Sequence, residues 1–354
     1  MPGAINHAMS KWMDGTGPEA DIVVSSRIRL ARNLASVPFP NRQAAEQSEH
    51  VVSQVIAAVS RFNREGPSHL SLYRLRDLTP LQRRVLVEKH LISPQHLQSP
   101  ETGAVVVSQD ETVSIMINEE DHLRLQVIMS GLQLEPAWEM ASRLDDALAE
   151  SLDFAFREDV GYLTACPTNV GTGMRASVMT HLPALAMTNQ LPRVVGAIMK
   201  LGLVVRGLYG EGTDAIGNMF QISNQITLGQ SEEEIIDNLR NLTVKILQEE
   251  RTARQDLLHD ARYQLEDRVS RAYGLLTHAR IMSSQEAMQL LSDVRLGVDL
   301  DLIRPVPMGV LNELLVETRP AYLQSMAGEE LGPDERDRRR AALIRQRLMD
   351  RASN

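Results

Sequence analysis

The stretch 161–183 holds the residue types of a reactive site. Its Cys166 is the only cysteine of the chain, and it follows an apolar run (162–165) that predicts a buried strand. Small, turn-forming residues with two glycines come next, and such a loop lets backbone amides approach a ligand closely. Arg175 then opens a second apolar run. The order predicts a loop that presents a thiol and a cation, although a lone cysteine is often only a buried, inert residue.

A second candidate is the acidic segment Asn118-Glu-Glu-Asp-His122, which Arg124 follows closely. Carboxylates at adjacent positions repel one another unless cations or protons compensate. The segment therefore indicates a site in which nearby cations are held, or else an ordinary solvated surface turn.

Two arginines stand two residues apart in the strand-like segment 21–30. Alternation along a strand places Arg27 and Arg29 on one face and the apolar Ile28 and Leu30 on the other. Two guanidinium groups side by side repel unless an anion lies between them or carboxylates interleave. A solvated strand face is the alternative.

The composition narrows the function. A chain of 354 residues is long enough for a large core and predicts two structural units. A net charge of −9 with only 4% aromatic residues disfavours direct nucleic-acid binding. The sequence shows no signal-peptide pattern at Met1, no membrane-length apolar run and no Cys/His zinc spacing. One cysteine fits a reducing compartment, so we expect a cytoplasmic protein.

Local patterns predict how these residues are positioned. Three β-like runs lie at 104–108, 112–117 and 123–129, and two more at 202–207 and 219–223. A glycine-dense loop at 209–217 carries Glu211. Predicted helices cover 43–64, 79–90, 135–151, 184–200, 232–252, 254–274, 284–295, 309–318 and 334–350. Strand signals end before about 250, so we divide the chain into a lead-in (1–20), a catalytic domain (21–250) and a helical C-terminal domain (251–354).

Taken together, the motifs resemble the phosphagen (guanidino) kinases. Four segments carry the resemblance in order: Ser-Ser-Arg-Ile-Arg at 25–29, Asn-Glu-Glu-Asp-His-Leu-Arg at 118–124, the cysteine segment 166–178, and Val-Arg-Gly at 205–207 followed by Glu211. The resemblance covers about 21–245 and implies an α+β fold. In that fold an antiparallel, glutamine-synthetase-like sheet is flanked by helices, and here an all-helical C-terminal domain would follow it.

The resemblance also implies roles for individual residues. Glu120 and Glu211 are similar to the carboxylates that hold and polarise the acceptor guanidinium, with Cys166 beside it. Glu119 is similar to a carboxylate that orders Mg²⁺ through water, and no direct metal ligand is implied. The ATP-binding residues by this resemblance are Ser25, Ser26, Arg27, Ile28, Arg29, His90, Arg124, Arg175, Ala176, Ser177, Val178, Met179, Arg206 and Gly207.

The chemistry supports these roles. A guanidinium is a poor nucleophile, so it needs carboxylates that align it and accept a proton as phosphorus arrives. An arginine cage with Mg²⁺ offsets the charge of the transferring phosphoryl group.

Two departures point to a protein substrate. Metabolic members of the family carry a helical domain before the segment that begins here at Ser25, and its loop closes over the small acceptor. This chain has a helical region after about 250 instead, an arrangement similar to the bacterial protein-arginine kinases. Their phosphoarginine-binding motif is matched by Arg336, Asp337, Arg340 and Ala341. Such an arginine-rich helix end is otherwise usually a solvated face.

The sequence thus predicts an enzyme that uses ATP and Mg²⁺ to phosphorylate exposed arginines of proteins. The resemblance implies that a Clp-type protease or chaperone receives the marked proteins, that an activator protein can take part, and that the chain forms a homodimer or higher oligomer. No nucleic acid or membrane partner is expected. The alternatives are a kinase of a free guanidino compound and a non-catalytic protease adaptor.

Overall fold

A computed structural model describes residues 9–65, 69–207, 215–303 and 306–349. Its centre is an eight-stranded sheet with the order β2-β3-β4-β5-β1-β8-β10-β9, in which all neighbouring strands run antiparallel. A short hairpin, β6–β7, stands apart. The strands are β1 (Val23–Arg32), β2 (Leu70–Arg74), β3 (Ala104–Ser108), β4 (Val113–Ile117), β5 (Leu123–Ser130), β6 (Phe156–Arg157), β7 (Gly161–Tyr162), β8 (Met174–His181), β9 (Leu203–Gly207) and β10 (Met219–Asn224).

The helices lie around the sheet and continue beyond it. They are α1 (Ala45–Glu65), α2 (Pro80–Glu88), α3 (Leu134–Ala149), α4 (Pro183–Met187), α5 (Leu191–Lys200), α6 (Glu232–Asp260), α7 (Arg262–His278), α8 (Ser284–Asp299), α9 (Met308–Glu317), α10 (Pro320–Ala327) and α11 (Pro333–Met349). The largest apolar core joins one sheet face to α1, α3, α5 and α6. A separate core unites α7, α8, α9 and α11. The predicted fold class, an antiparallel sheet flanked by helices with a helical C-terminal part, is confirmed. No described helix has the length and apolar character needed to cross a membrane.

Capping explains several of the predicted helix starts. The side chain of Thr79 accepts a hydrogen bond from the backbone amide of Gln82, and the side chain of Gln82 accepts one from the backbone amide of Thr79. Ser231 and Glu234 form the same reciprocal box at the start of α6. Each box satisfies backbone donors that a helix end would otherwise leave unpaired.

Three sequence predictions of local structure are wrong. The expected helix 184–200 is divided into α4 and α5. Asn189 between them adopts a left-handed conformation (φ 55°), and Pro192 lies in the first turn of α5, where proline is tolerated. The expected break near 253 is absent, since Ala253 and Arg254 are buried and α6 continues to Asp260. Of the expected strand 162–165, only Tyr162 belongs to a strand, as the last residue of β7. Pairing stops there because the partner strand β6 has just two residues. Strand β2 and helix α10 were not predicted.

Buried ion pairs fix the C-terminal helices to the sheet. On α6, Arg254 donates to Glu250 at 2.9 Å and to Asp299 of α8 at 3.3 Å. Glu250 in turn accepts the amides of Ala184 and Leu185 in α4, at 3.1 and 3.0 Å. Burial raises the pKa of Asp299 to about 6, against the opposing effect of Arg295 and Arg254. Removing one partner would leave a buried charge uncompensated, so this network holds the two parts in one arrangement.

Candidate active site

The site is built on three adjacent strands at the centre of the sheet. In the register of β1 with β8, Arg29 lies opposite Arg175, and Arg27 lies opposite Ser177. Arg124 is at the start of the neighbouring strand β5, opposite Ala31. Like charges directly across an antiparallel pair destabilise the sheet. A bound anion would remove this repulsion, so the pairing of Arg29 with Arg175 indicates an anion-binding site.

These arginines line a cavity of about 700 Å³, which also receives side chains from α2 and from the C-terminal helices. The charged and imidazole groups in its wall are Arg27, Arg29, Arg124, Arg175, Arg206, Arg319, Glu88, Glu119, Glu120, His90 and His96. The five arginines that the sequence singled out are therefore brought together, and a sixth, which the sequence analysis did not identify, joins them.

The electrostatics of the cavity favour the binding of a negatively charged ligand. Burial, together with Arg27, Arg124 and Arg175, lowers the pKa of Arg29 well below its usual value. Burial also lowers the pKa of Arg175, with added repulsion from Arg206 and Arg124. A bound polyanion would relieve this repulsion, and guanidinium forks match phosphate oxygens well. A nucleoside triphosphate thus fits the wall that these residues form.

The acidic segment forms a tight turn between β4 and β5. Asn118 takes a left-handed conformation (φ 56°), and its amide group donates to the carbonyls of Ser48 and Thr102 at 2.9 and 3.0 Å. Glu119 accepts hydrogen bonds from Arg124 at 2.8 Å and from Ser93 at 2.5 Å. The turn is thereby fixed in place, which rules out the alternative of a loose solvated turn for Glu119.

The two glutamates of the turn differ in environment. Although burial opposes it, the attraction of Arg124 and the hydrogen bonds of Glu119 hold the pKa of that carboxyl below its usual value. Glu120 is exposed to the cavity, and partial burial raises its pKa, with Asp121 and Glu119 adding to the effect against Arg124. Glu119 is therefore a structural anion, whereas Glu120 is the carboxylate that can face a second ligand and take up a proton.

The loop around Cys166 is tied to this turn by Asp121. Its Oδ1 accepts the amide of Ala165 at 2.7 Å and the side chain of Asn33 at 2.6 Å. On the far side, the Thr227 hydroxyl donates to two carbonyls of the loop at 2.9 and 2.7 Å. Gly171 has a φ of 110°, and a Cβ there would lie 2.4 Å from the Thr227 carbonyl oxygen.

Cys166 itself is half-buried, and its Sγ lies 3.0 Å from the Thr168 hydroxyl. The preceding residue, Ala165, lines a cavity together with Glu119 and Glu120. The cysteine loop therefore borders the same site as Glu120, and the half-buried thiol is not an apolar core residue.

His90 occupies another part of the wall. It adopts a φ of 61° directly after α2, and its ring contacts Trp12 edge-on at a centroid distance of 5.7 Å. Burial, together with Arg27 and Arg319, lowers the pKa of His90 to about 3. The imidazole is neutral at physiological pH and can pack against an apolar or aromatic group.

The remaining predicted ATP-site residues divide between the two faces of the sheet. Ser25, Ser177 and Met179 line a small recess beside His90, and Ser177 accepts a hydrogen bond from Arg27 at 3.4 Å. The hydroxyl of Ser26 points away to the Gly131 carbonyl. The side chains of Ile28, Ala176 and Val178 are fully buried in the core beneath the site. Gly207 ends β9 directly after Arg206. Glu211 falls within 208–214, outside the described residues.

The C-terminal motif lies on α11, apart from the cavity. Arg340 is only 2% exposed and donates to the carbonyls of Thr318 and Met282, both at 2.8 Å, as well as to Asp337. Ala341 packs into the helical core. Arg336 and Asp337 are half-buried and accessible. Within the motif, Arg340 thus has an internal structural role that the sequence did not reveal.

Sequence reasoning missed several residues that hold the site together. Arg32 lies behind the cage with its guanidinium on the buried Asp145 at 2.8 Å and over the Tyr162 ring at 3.4 Å. Asp121 was visible as part of the acidic segment, but its contact with the cysteine loop was not. Arg319 is distant from every motif, so no local signal marked it. No group of three or more potential metal ligands occurs among the described residues.

Comparisons with known proteins agree with this geometry. A family model described as "ATP:guanido phosphotransferase, C-terminal catalytic domain" matches residues 50–253, and one described as "Protein-arginine kinase McsB C-terminal domain" matches 262–354. Curated proteins named "Protein-arginine kinase" are similar over almost the whole chain. The one from Symbiobacterium thermophilum is 59% identical, covering 97% of this chain and 98% of its own. The one from Bacillus subtilis is 51% identical, with 97% and 94% covered.

Among solved structures, a lombricine kinase is similar with a TM-score of 0.58 and 27% identity, covering 71% of each chain. A duplicated taurocyamine kinase from Schistosoma mansoni reaches the same TM-score of 0.58 at 24% identity, over 71% of this chain and 36% of its own. The second likeness concerns the fold alone.

Proposed function

The chain belongs to the protein-arginine kinase family of ATP:guanido phosphotransferases, and we propose that its arginine-lined cavity transfers the γ-phosphoryl group of ATP to arginine side chains of proteins. One observation carries the proposal. Five motif arginines and Glu120 line one cavity, and the cysteine loop borders it at Ala165, so a polyphosphate and a guanidinium can be held facing each other.

The arginines bind and align the nucleotide. Arg27, Arg29, Arg124, Arg175 and Arg206 surround the phosphates and offset the charge that spreads over the transferring group. His90, being neutral, packs against the adenosine. A magnesium ion carried by ATP would supply further charge neutralisation, and Glu119 would be the residue that holds it, through water. Because positioning supplies much of the rate in phosphoryl transfer, a cage built on four strands of one sheet suits the reaction.

Glu120 holds the acceptor. Its exposed carboxylate pairs with the incoming guanidinium, orients one nitrogen toward phosphorus and accepts the proton that this nitrogen loses. Its raised pKa, which burial causes, favours that proton transfer. Cys166 is proposed to lie beside the acceptor guanidinium, and Glu211 is proposed as the second carboxylate.

A protein rather than a small molecule supplies the acceptor. A second cavity, of about 350 Å³, shares Glu119 and Glu120 with the first and is otherwise lined by uncharged groups such as Gln43 and Thr102. Polar, uncharged side chains suit the backbone of a substrate segment that carries the target arginine. The chain 21–250 is the catalytic domain in this proposal, and 251–354 is the helical domain.

The C-terminal motif serves as a separate phosphoarginine-binding site. Asp337 accepts hydrogen bonds from the bound guanidinium, and Arg336 takes the phosphoryl oxygens. The neighbouring Arg340 and Ala341 shape the site from beneath. A Clp-type protease or chaperone then recognises the marked proteins, and a homodimer is the expected assembly.

Labelled ATP offered together with casein and free arginine tests the proposal. The expected result is that label enters casein and not the free amino acid, and that Glu120→Gln abolishes the transfer. Label in free arginine alone would assign a small guanidino substrate. If neither acceptor is labelled while the chain still binds a protease, the chain is an adaptor.

A further inference from the structure

The sixth arginine of the cavity comes from the C-terminal helices. Arg319 lies at the junction of α9 and α10, 153 residues after Cys166 along the chain, yet it lines the same wall as Glu88 and His90. The other cavity arginines all stand on strands of the sheet. The helical part thus contributes a cation directly to the cavity of the proposed active site.

The position of Arg319 is fixed from several directions. Its amide donates to the Val316 carbonyl at 2.9 Å, and its own carbonyl accepts the Leu323 amide at 3.0 Å. The preceding residue, Thr318, is held by the buried Arg340 at 2.8 Å. The backbone that carries the Arg319 side chain is therefore fixed at the cavity wall before a ligand binds, which lowers the entropic cost of binding.

The helix that Arg319 caps is docked onto the catalytic part by Glu88. This carboxylate at the end of α2 accepts the first-turn amides of Ala321 and Tyr322, at 2.9 and 2.8 Å. Burial raises the pKa of Glu88, against the opposing effect of the two amides and of Arg319. The contact satisfies donors that the helix start would otherwise leave unpaired, and it joins α10 to the wall of the cavity.

The recesses beside the cavity show which end Arg319 occupies. One recess shares Glu119 and Glu120 with the cavity, and another shares Arg27 and His90. Arg319 belongs to the His90 end, because Glu88, two residues before His90, accepts the amides of Ala321 and Tyr322. A nucleotide with its adenosine at His90 and its γ-phosphate toward Glu120 has its α-phosphate nearest to the His90 end.

We propose that Arg319 is a nucleotide-binding residue which the C-terminal helices supply to the catalytic cavity, and that its guanidinium binds the α-phosphate of ATP. The inference rests on the proposed function for the orientation of the nucleotide. It makes the nucleotide site incomplete without α10, since Arg319 and the amides that hold Glu88 both belong to that helix junction. No motif of the catalytic part includes this residue.

Nucleotide affinity of full-length variants tests the proposal. Isothermal titration calorimetry measures the Kd of ATP, AMP and adenosine for wild type, Arg319→Gln and Arg319→Lys. A charge-assisted hydrogen bond to phosphate predicts a rise of about tenfold or more for ATP and AMP alike in Arg319→Gln, with partial recovery in Arg319→Lys. Adenosine, which has no phosphate, is expected to bind all three proteins equally.

The matched control is Arg338→Gln on α11, whose side chain is 63% exposed and lies outside the cavity. It is expected to bind every nucleotide as wild type does. An unchanged ATP affinity in Arg319→Gln overturns the inference. So does an equal loss for adenosine, which would mean that the residue only shapes the cavity. If Arg319→Gln does not fold, Arg319→Lys must still weaken ATP and AMP binding without weakening adenosine binding.

These binding measurements need no acceptor, so they separate this inference from the proposed function. If the wild type phosphorylates arginine but Arg319→Gln binds ATP as tightly as the wild type does, only the inference is refuted. If Arg319→Gln binds ATP more weakly but the wild type phosphorylates no arginine, only the proposed function is refuted.

Discussion

Glu119 holds Arg124 in place, with 2.8 Å between the carboxylate Oε2 and the guanidinium Nη1. The two residues stand at opposite ends of the acidic turn, and Glu119 is further fixed by Ser93. One carboxylate of the turn thus holds an arginine of the cavity wall, while the next, Glu120, is exposed. In the proposed function, this single turn between two strands would contact both substrates.

Substitution of Glu120 is expected to affect turnover and not nucleotide binding. Glu120→Gln removes the base that accepts the guanidinium proton, so kcat is predicted to fall by about 10²–10⁴-fold. The Kd of ATP stays near the wild-type value because the carboxylate faces the acceptor. Steady-state kinetics with a protein substrate, together with calorimetric ATP binding, measure both quantities. Near-normal turnover would show that the acceptor has been misplaced.

Cys166 is expected to be reactive and important for turnover. Cys166→Ala removes the thiol beside the acceptor and is predicted to lower kcat on the order of 10²-fold, with Cys166→Ser less damaging. Iodoacetamide should modify the folded protein faster than a model thiol, and ATP should protect. Cys166 would be a purely structural residue if its thiol stays unmodified in the folded protein and if both variants keep the wild-type kcat.

The acidity of His90 predicts a pH effect on stability. The folded-state pKa of about 3 lies below the ordinary value of 6.5, so only the unfolded chain takes up this proton as pH falls. The contribution is complete above pH 6.5 and is lost toward pH 3. Relative to His90→Asn, whose side chain tolerates the left-handed backbone, wild type is expected to lose roughly 1–2 kcal/mol by pH 5. Urea unfolding at pH 8 and pH 5 measures the difference, and a constant difference would show that His90 titrates normally.

The two arginines of the C-terminal motif are expected to behave differently. Arg340→Ala leaves the Thr318 and Met282 carbonyls without their buried donor, and about 2–4 kcal/mol of folding free energy should be lost. Arg336→Ala is predicted to leave stability almost unchanged and to abolish the response of kinase activity to added phosphoarginine. Thermal unfolding and activity assays measure the two effects. A binding role for Arg336 would be contradicted if Arg336→Ala destabilises the protein as much as Arg340→Ala does and its kinase activity still responds to phosphoarginine.

Much of the site was predictable because its chemistry is local. The acidic turn, the cysteine loop and the arginines of β1 each form one short segment, and strand alternation correctly places Arg27 and Arg29 on one face. What could not be predicted depends on long-range contacts. Asp121 acts through the Ala165 amide, and the junction of Arg319 with the cavity depends on how α10 docks against Glu88.

Errors in the predicted elements have the same origin. Nothing local reveals that α6 continues past 253, because its continuation depends on burial of Ala253 and Arg254 against other elements. The Tyr162 segment has strand-like composition but lacks a long partner strand. Tertiary context decided each of these cases.

The most direct test of the central claim is mass spectrometry of casein after incubation with ATP, Mg²⁺ and the full-length protein, with all steps kept at neutral or basic pH because phosphoramidates hydrolyse in acid. The account predicts phosphate on arginine residues of casein with the wild-type protein and none with Glu120→Gln. Phosphate on serine, threonine or tyrosine instead, or arginine phosphate undiminished in Glu120→Gln, would contradict it.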